Sequence, residues 1–268
     1  MGLTLLLAHL VAAAVGPFAA PYGFAQIGAG TPLSGMSFEH PMGVDQLGRD
    51  VFSRVLYGSH IVIMLSVAGT ALGLALGSAI GLLSAYVGGF RDEVVQRIVE
   101  AFVSIPYIVL GLLAVYAAGP ELAGRQWLMA LVIAIIYAPR IARMARAAAI
   151  DIVSRDFVTA ARLRGESAWS VVRRDLAPNA ASTLLVEFAL RTGYAPALIA
   201  AFGFLGFGVQ PPTPEWGLMI SENRNVILLS PVTVLGPGLA LASLVVAVNL
   251  TAEGLARILG RSADFSVR

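Results

Sequence analysis

Charged side chains along this chain are gathered into short clusters, and long apolar runs separate them. Residues 2–38 carry no charged group apart from His9, and Leu3–Phe18 is almost wholly apolar. A second run, Ile61–Val87, lies between His60 and Arg91, and a third lies between Glu100 and Glu121. The fourth, Gln126–Pro139, is followed by Arg140, Arg143 and Arg146 at helical spacing. The fifth, about Ala180–Phe207, is interrupted by Glu187 and Arg191, and the sixth is Pro231–Ala252. A helix rises 1.5 Å per residue, so about 20 apolar residues cross a hydrocarbon core of ~30 Å. The pattern therefore predicts an all-α, polytopic membrane bundle of about six transmembrane helices. The first and fourth runs are the least sharply bounded.

Composition strengthens this reading. The 268 residues are 57% hydrophobic and only 13% charged, with a mean hydropathy of +0.80, where a soluble domain carries about 25% charge. There is no cysteine, so disulfides, thiolate metal sites and a cysteine nucleophile are excluded. All 18 basic residues are arginine. Without lysine the chain lacks the group that reaches nucleotide phosphates in a P-loop, and it cannot form a Schiff base. His9, His40 and His60 show no metal-ligand spacing.

Arginine placement predicts orientation. With the N-terminus inside, segments 88–98, 140–178 and 254–268 are internal and hold thirteen arginines. The external segments hold four (Arg49, Arg54, Arg125 and Arg224), and Arg191 lies within a span. Both termini are thus expected in the cytoplasm. The first span has no basic residue ahead of it, so it reads as a retained helix rather than a signal peptide. Gly69, Gly73, Gly77 and Gly81 recur every fourth residue in the second span, a face that admits a close helix neighbour, most simply within the same bundle.

The internal segment 140–178 has the composition of structure rather than disorder. Ser154 or Asp156 can cap a helix over Phe157–Leu163, and Gly165 breaks it. A second short helix follows with Trp169, Val171, Val172 and Leu176 apolar, ending at Pro178. Such a helix–turn–helix suits docking to a soluble partner. Anionic lipid head groups would equally hold a basic loop of this kind.

Four stretches, in order, carry a resemblance. Thr159-Ala160-Ala161 with Gly165 and Pro178 resembles the Glu-Ala-Ala loop of bacterial ATP-binding-cassette importer permeases, with Thr159 in place of the glutamate and Ala177 in place of a leucine. The stretch from His40 to Arg54, with Asp45, Gly48, Arg49, Asp50 and Ser53, is similar to a segment of dipeptide, oligopeptide and nickel permeases. So are Tyr86–Asp92 and Phe204–Gly217. Together they resemble the C-type permease of that family. The resemblance implies the type I importer fold, with residues 1–60 as a first helix and external segment and 61–268 as the permease core.

It further implies a homologous sister permease, two ATPase subunits that carry ATP and Mg, and an external substrate-binding protein. The chain would be a transport subunit of the bacterial cytoplasmic membrane, not an enzyme, without a cofactor or nucleic-acid partner of its own. By position, Thr159, Ala160, Ala161 and Gly165 are implied as ATPase-docking residues, flanked by Arg155, Asp156 and Arg162. Peptides, di- or oligopeptides, are the implied cargo.

Glu187 and Arg191 share a helical face. They read either as polar lining of a translocation path for a zwitterionic peptide or as an ion pair near the cytoplasmic end. The second is preferred because Glu187 follows Asn179 by only eight residues. Gln210–Trp216 reads as a rigid external loop whose tryptophan anchors at the interface. The alternative function is a stand-alone secondary transporter or channel. An intramembrane protease lacks its residues here, since no lysine or membrane-embedded aspartate is present.

Overall fold

The computed structural model describes residues 1–265, with side chains through 258. Arg268 and the side chain of Arg261, both counted in the last internal segment, lie outside the described residues. Among the described residues there is no strand beyond one isolated bridge between Val44 and Asp50.

Five helices are long and apolar enough to cross a membrane. They are α1 (Gly2–Ala19), α2 (Val51–Val87), α5 (Gln126–Val153), α9 (Ala181–Phe204) and α11 (Val232–Phe265). A sixth crossing is possible only as a bent pair. Helices α3 (Gly89–Ser104) and α4 (Tyr107–Ala118) meet at 100°. The third run was expected to be one helix; Pro106 breaks it. Proline drives the preceding residue out of the α region, and Ile105 is extended at φ −77°, ψ 130°. Between the long helices lie α6 (Asp156–Leu163), α7 (Ala168–Val171), a π-helical stretch Val172–Leu176, α8 (Ala177–Asn179) and α10 (Trp216–Asn223).

Helix α2 starts ten residues ahead of the expected Ile61. Asp50 caps it by accepting a hydrogen bond from the Ser53 amide at 2.7 Å, which satisfies one of the orphan N–H groups of the first turn. The helix then runs unbroken through residues 60 and 61. Its charged first turns read as loop in the sequence, yet Arg54 is only 1% exposed.

The dominant packing seam joins α2 to α5. All four glycines of the repeat are buried there. A Cβ at Gly69 would stand 2.7 Å from Ile133 Cβ, and one at Gly81 would stand 2.2 Å from the Ala142 carbonyl oxygen. The small-residue face thus serves packing within the chain. In lipid, where hydrophobic attraction between helices is weak, such close approach supplies the dispersion contacts that hold them.

Three apolar clusters lie along the bundle. The central one joins α2, α4, α5 and α9 through Leu65, Leu110, Ile133, Ile136, Ile199 and Phe202. One end holds Val51, Val55, Trp216, Met219 and Leu244. The other holds Leu82, Ala145, Ala149, Ile152 and the helices after α5. Helix α1 packs on α2 and α11 and leaves Leu3, Leu7, Val11, Val15 and Phe18 exposed, the pattern of a lipid-facing helix.

Candidate functional site

The segment after α5 forms a seated helix with one free face. Val158, Ala161, Val171, Val172 and Leu176 are buried against the ends of α2 and α5. Phe157, Thr159, Leu163 and Trp169 remain exposed, Leu163 at 85%. Neither Ser154 nor Asp156 caps α6 as expected. Arg155 occupies the N-cap position with no side-chain cap, and its carbonyl accepts from the amides of Val158 (3.0 Å) and Thr159 (3.3 Å). Asp156 stands in the first turn, where its charge favours the helix dipole.

Gly165 ends α6 with φ at +72°. Its amide donates to Arg162 O at 3.0 Å, and the Glu166 amide donates to Ala161 O at 3.2 Å. This is the Schellman pattern, which wants glycine at the left-handed position. Arg162 extends back to α2, donating to Tyr86 O at 2.8 Å and stacking on the Tyr86 ring at 4.5 Å. Arg164 pairs with Glu166 at 2.7 Å and holds that carboxyl below its ordinary range.

The expected docking residues therefore separate by role. Arg155, Asp156 and Thr159 are exposed, and Ala160 is half-buried. Ala161 is fully buried, and its methyl seats the helix in the cluster at the ends of α2 and α5. Arg162 is exposed but engaged with Tyr86. Pro178 does not end the second short helix: it lies inside α8, and the path turns at Ala180 (φ −91°, ψ −1°) before α9.

Sequence reasoning missed the brace beneath this element. Arg146 of α5 grips Asp92 of α3 by both nitrogens, Nε donating to Oδ1 at 2.8 Å and Oδ2 at 3.1 Å and Nη2 to Oδ2 at 2.6 Å. Ser84 of α2 also donates to Asp92 Oδ1. Bidentate arginine–carboxylate pairs fix geometry as well as add energy. The available signal was the arginine row at 140, 143 and 146, which read only as basic charge.

At the opposite end, the stretch His40–Arg54 folds onto α10. Arg49 Nη2 and Arg54 Nη2 both donate to Glu222 Oε2, at 2.9 and 3.0 Å. Arg49 also meets Asp45 at 2.6 Å, and His40 Nδ1 lies 2.9 Å from Asp50. Trp216 is not an interfacial anchor. It is 1% exposed, donates from Nε1 to Val55 O at 3.1 Å, and packs where Gly58 leaves room. Next to it, Glu215 caps α10 by accepting from the amides of Gly217 and Leu218, and burial pushes its carboxyl up to about 7.

A third feature lies at membrane depth. A cavity of about 310 Å³ is lined by Tyr107 of α4, Tyr137 of α5, and Arg191, Tyr194 and Leu198 of α9. Glu187 and Arg191 form an ion pair within α9, with Nε to Oε1 at 2.7 Å. Arg191 also reaches the cavity and lies 5.5 Å from the centre of the Tyr137 ring. Among the described residues no cluster of His, Asp and Glu is arranged to hold a metal.

These features describe a multi-pass membrane protein with a short helix seated by one face at one end and an aromatic cavity, reached by Arg191, between its helices. Comparison with known proteins gives the family. Residues 73–264 match the family described as binding-protein-dependent transport system inner membrane component. The glutathione transport system permease protein GsiD of Pectobacterium atrosepticum is 34% identical over 82% of this chain and 72% of its own length. The dipeptide transport system permease protein DppC of Alkalihalophilus pseudofirmus is 31% identical over 95% and 83%. A structure of the MetNI methionine ABC transporter in an inward-facing conformation superposes with a TM-score of 0.61 at 20% identity, over 77% of this chain and 96% of that one. The chain belongs to the binding-protein-dependent transport system inner membrane component family. The resemblance drawn from its four sequence stretches holds.

Proposed function

We propose that the chain is the permease subunit of an ATP-driven importer of short peptides. It pairs with a homologous sister permease above two ATPase subunits, which carry ATP and Mg, and an external substrate-binding protein delivers the cargo. Relatives named for a dipeptide and for glutathione, itself a short peptide, support that cargo class. The observation that carries the coupling role is α6: one face is buried on α2 and α5, while Phe157, Thr159 and Leu163 stand free. A helix held this firmly transmits a push from an ATPase into the two longest-packed spans, and rigid-body rocking opens or closes a central path.

Arg155, Asp156, Thr159 and Ala160 meet the ATPase, while Ala161, Arg162 and Gly165 position the helix. Both termini face the cytoplasm, in keeping with the arginine excess at the α6 end. Residues 1–60 add a helix and an external lock to a permease core at 61–268, whose coupling segment is 140–178. Glu187 and Arg191 border the path.

Gly165→Val tests the coupling role. A β-branched residue at φ +72° costs about 1–2 kcal/mol locally, and nothing lies within 4 Å to clash with it. The reassembled importer should insert normally, yet lose binding-protein-stimulated ATPase activity and uptake by about tenfold, which is the effect of ~1.4 kcal/mol on docking. Gly165→Asn, which tolerates the left-handed region, should retain most activity. Full activity in Gly165→Val would count against α6 as the coupling element.

A further inference from the structure

The cavity between α4, α5 and α9 is lined by Arg191, and a second guanidinium, Arg140, stands beside it on the Tyr107 ring. Arg191 is balanced by Glu187. Arg140, one turn from Tyr137 on α5, is not balanced: among the described residues it makes no salt bridge. Its guanidinium lies 3.7 Å from the centre of the Tyr107 ring and donates to the carbonyls of Ile136 (3.2 Å) and Val103 (3.3 Å). Two guanidiniums and one carboxylate leave one positive charge beside an apolar, aromatic wall. Charge at membrane depth is costly without a partner and marks a path or a ligand.

The second observation is independent of charge. Tyr137 lines this cavity and is 3% exposed, yet among the described residues its hydroxyl has no hydrogen-bond partner. Buried tyrosine hydroxyls are normally satisfied, and one left without a partner is destabilising. A group that accepts hydrogen bonds and carries negative charge would satisfy both features at once.

We propose that this cavity is a carboxylate subsite of the translocation path, which receives the free C-terminal carboxylate of a passing peptide. Tyr137 donates to the carboxylate, Arg191 and Arg140 supply the field, and Tyr107 and Tyr194 give the aromatic walls. Tyr194 is 58% exposed and Tyr107 43%, which leaves the site open at its mouth. A solute with a free carboxylate is therefore preferred over its neutral amide at this step, separately from any choice made by the binding protein. The assignment rests on the importer reading for its place in a path, but the carboxylate chemistry is this cavity's own.

Tyr137→Phe is the sharpest variant, because it removes a hydroxyl that bonds nothing among the described residues and should not weaken the fold. Glu187→Gln with Arg191→Gln removes the ion pair without stranding a charge. The complete permease–ATPase complex in nanodiscs, without binding protein, is titrated with dialanine, dialanine amide and acetate by saturation-transfer NMR. Dialanine and acetate should compete for one site, and the amide should bind about tenfold more weakly, the effect of losing one charged hydrogen bond. Tyr137→Phe and the double variant should each weaken the two acids about tenfold and leave the amide unchanged. Equal binding of acid and amide, no detectable binding of either, or acid binding unaffected by both variants would overturn the assignment.

A carboxylate of the sister permease is the other source of the same chemistry. If it fills the cavity, the variants would shed the sister subunit and the acids would not bind, which also overturns a solute subsite. Binding-protein-stimulated ATPase activity is followed in parallel. Its absence from the wild-type complex alongside intact acid binding would fault the importer reading and not the subsite.

Discussion

Gly81→Leu should abolish accumulation of folded chain in the membrane. A Cβ at this position would lie 2.2 Å from the Ala142 carbonyl oxygen, 2.9 Å from Ala145 Cβ and 2.9 Å from the Arg146 amide. Two of these three atoms are backbone, so no rotamer change relieves the clash, and α2 must move away from α5. Ordinary overpacking costs about 1–3 kcal/mol, and here the separation would also loosen the contacts at Gly73 and Gly77 and the Asp92–Arg146 brace nearby. A loss above about 3 kcal/mol is a large share of total stability. The check is thermal unfolding of the detergent-purified chain with its partners, or the yield of intact complex. Gly254→Ala is the matched control: a Cβ there meets nothing within 4 Å, and alanine favours helix over glycine by about 1 kcal/mol. That variant should be neutral or slightly stabilising.

Glu222→Ala should be nearly as damaging, at the other end of the bundle. One carboxylate oxygen accepts from both Arg49 and Arg54, which are 4% and 1% exposed. Removing it leaves Arg54 with only the Phe24 carbonyl at 3.0 Å, while Arg49 keeps Asp45. Breaking a buried pair from one side costs about 3–5 kcal/mol, since the remaining charge cannot return to water. Glu222→Gln keeps an acceptor and should lose less. Amide hydrogen exchange across residues 40–54 reads the effect directly: protection should fall there first, with the seam of α2 and α5 intact. Unchanged protection in Glu222→Ala would mean that this end of the bundle is held by other contacts.

The spans were legible because apolar runs free of charge have few alternatives to a membrane. Where polar residues found partners in the fold, the same reasoning misplaced boundaries. Arg54 and His60 marked the start of α2 as loop, although Arg54 is buried by an acceptor 168 positions away. Ile105-Pro106 carried a readable break, since a residue before proline avoids the helical region, but the apolar composition around it concealed the bend. Trp216 read as an anchor because a tryptophan beside prolines fits an interface; its burial depends on Gly58, which no local pattern links to it. The Gly165 turn was visible from one residue, since glycine after a short helix has a specific conformational use. The cavity was the least legible feature. Tyr107, Tyr137 and Arg191 come from three helices, and an unpaired hydroxyl exists only once those helices are packed.

As the proposed importer subunit, this chain is expected to transport only as part of an ATP-driven assembly. Proteoliposomes containing the chain, its sister permease and the ATPases, with ATP inside and loaded binding protein outside, test it most directly. Labelled dialanine and glutathione should accumulate only when ATP, both ATPases and the binding protein are all present. Accumulation by this chain alone, driven by a proton or sodium gradient with ATP depleted, would contradict it.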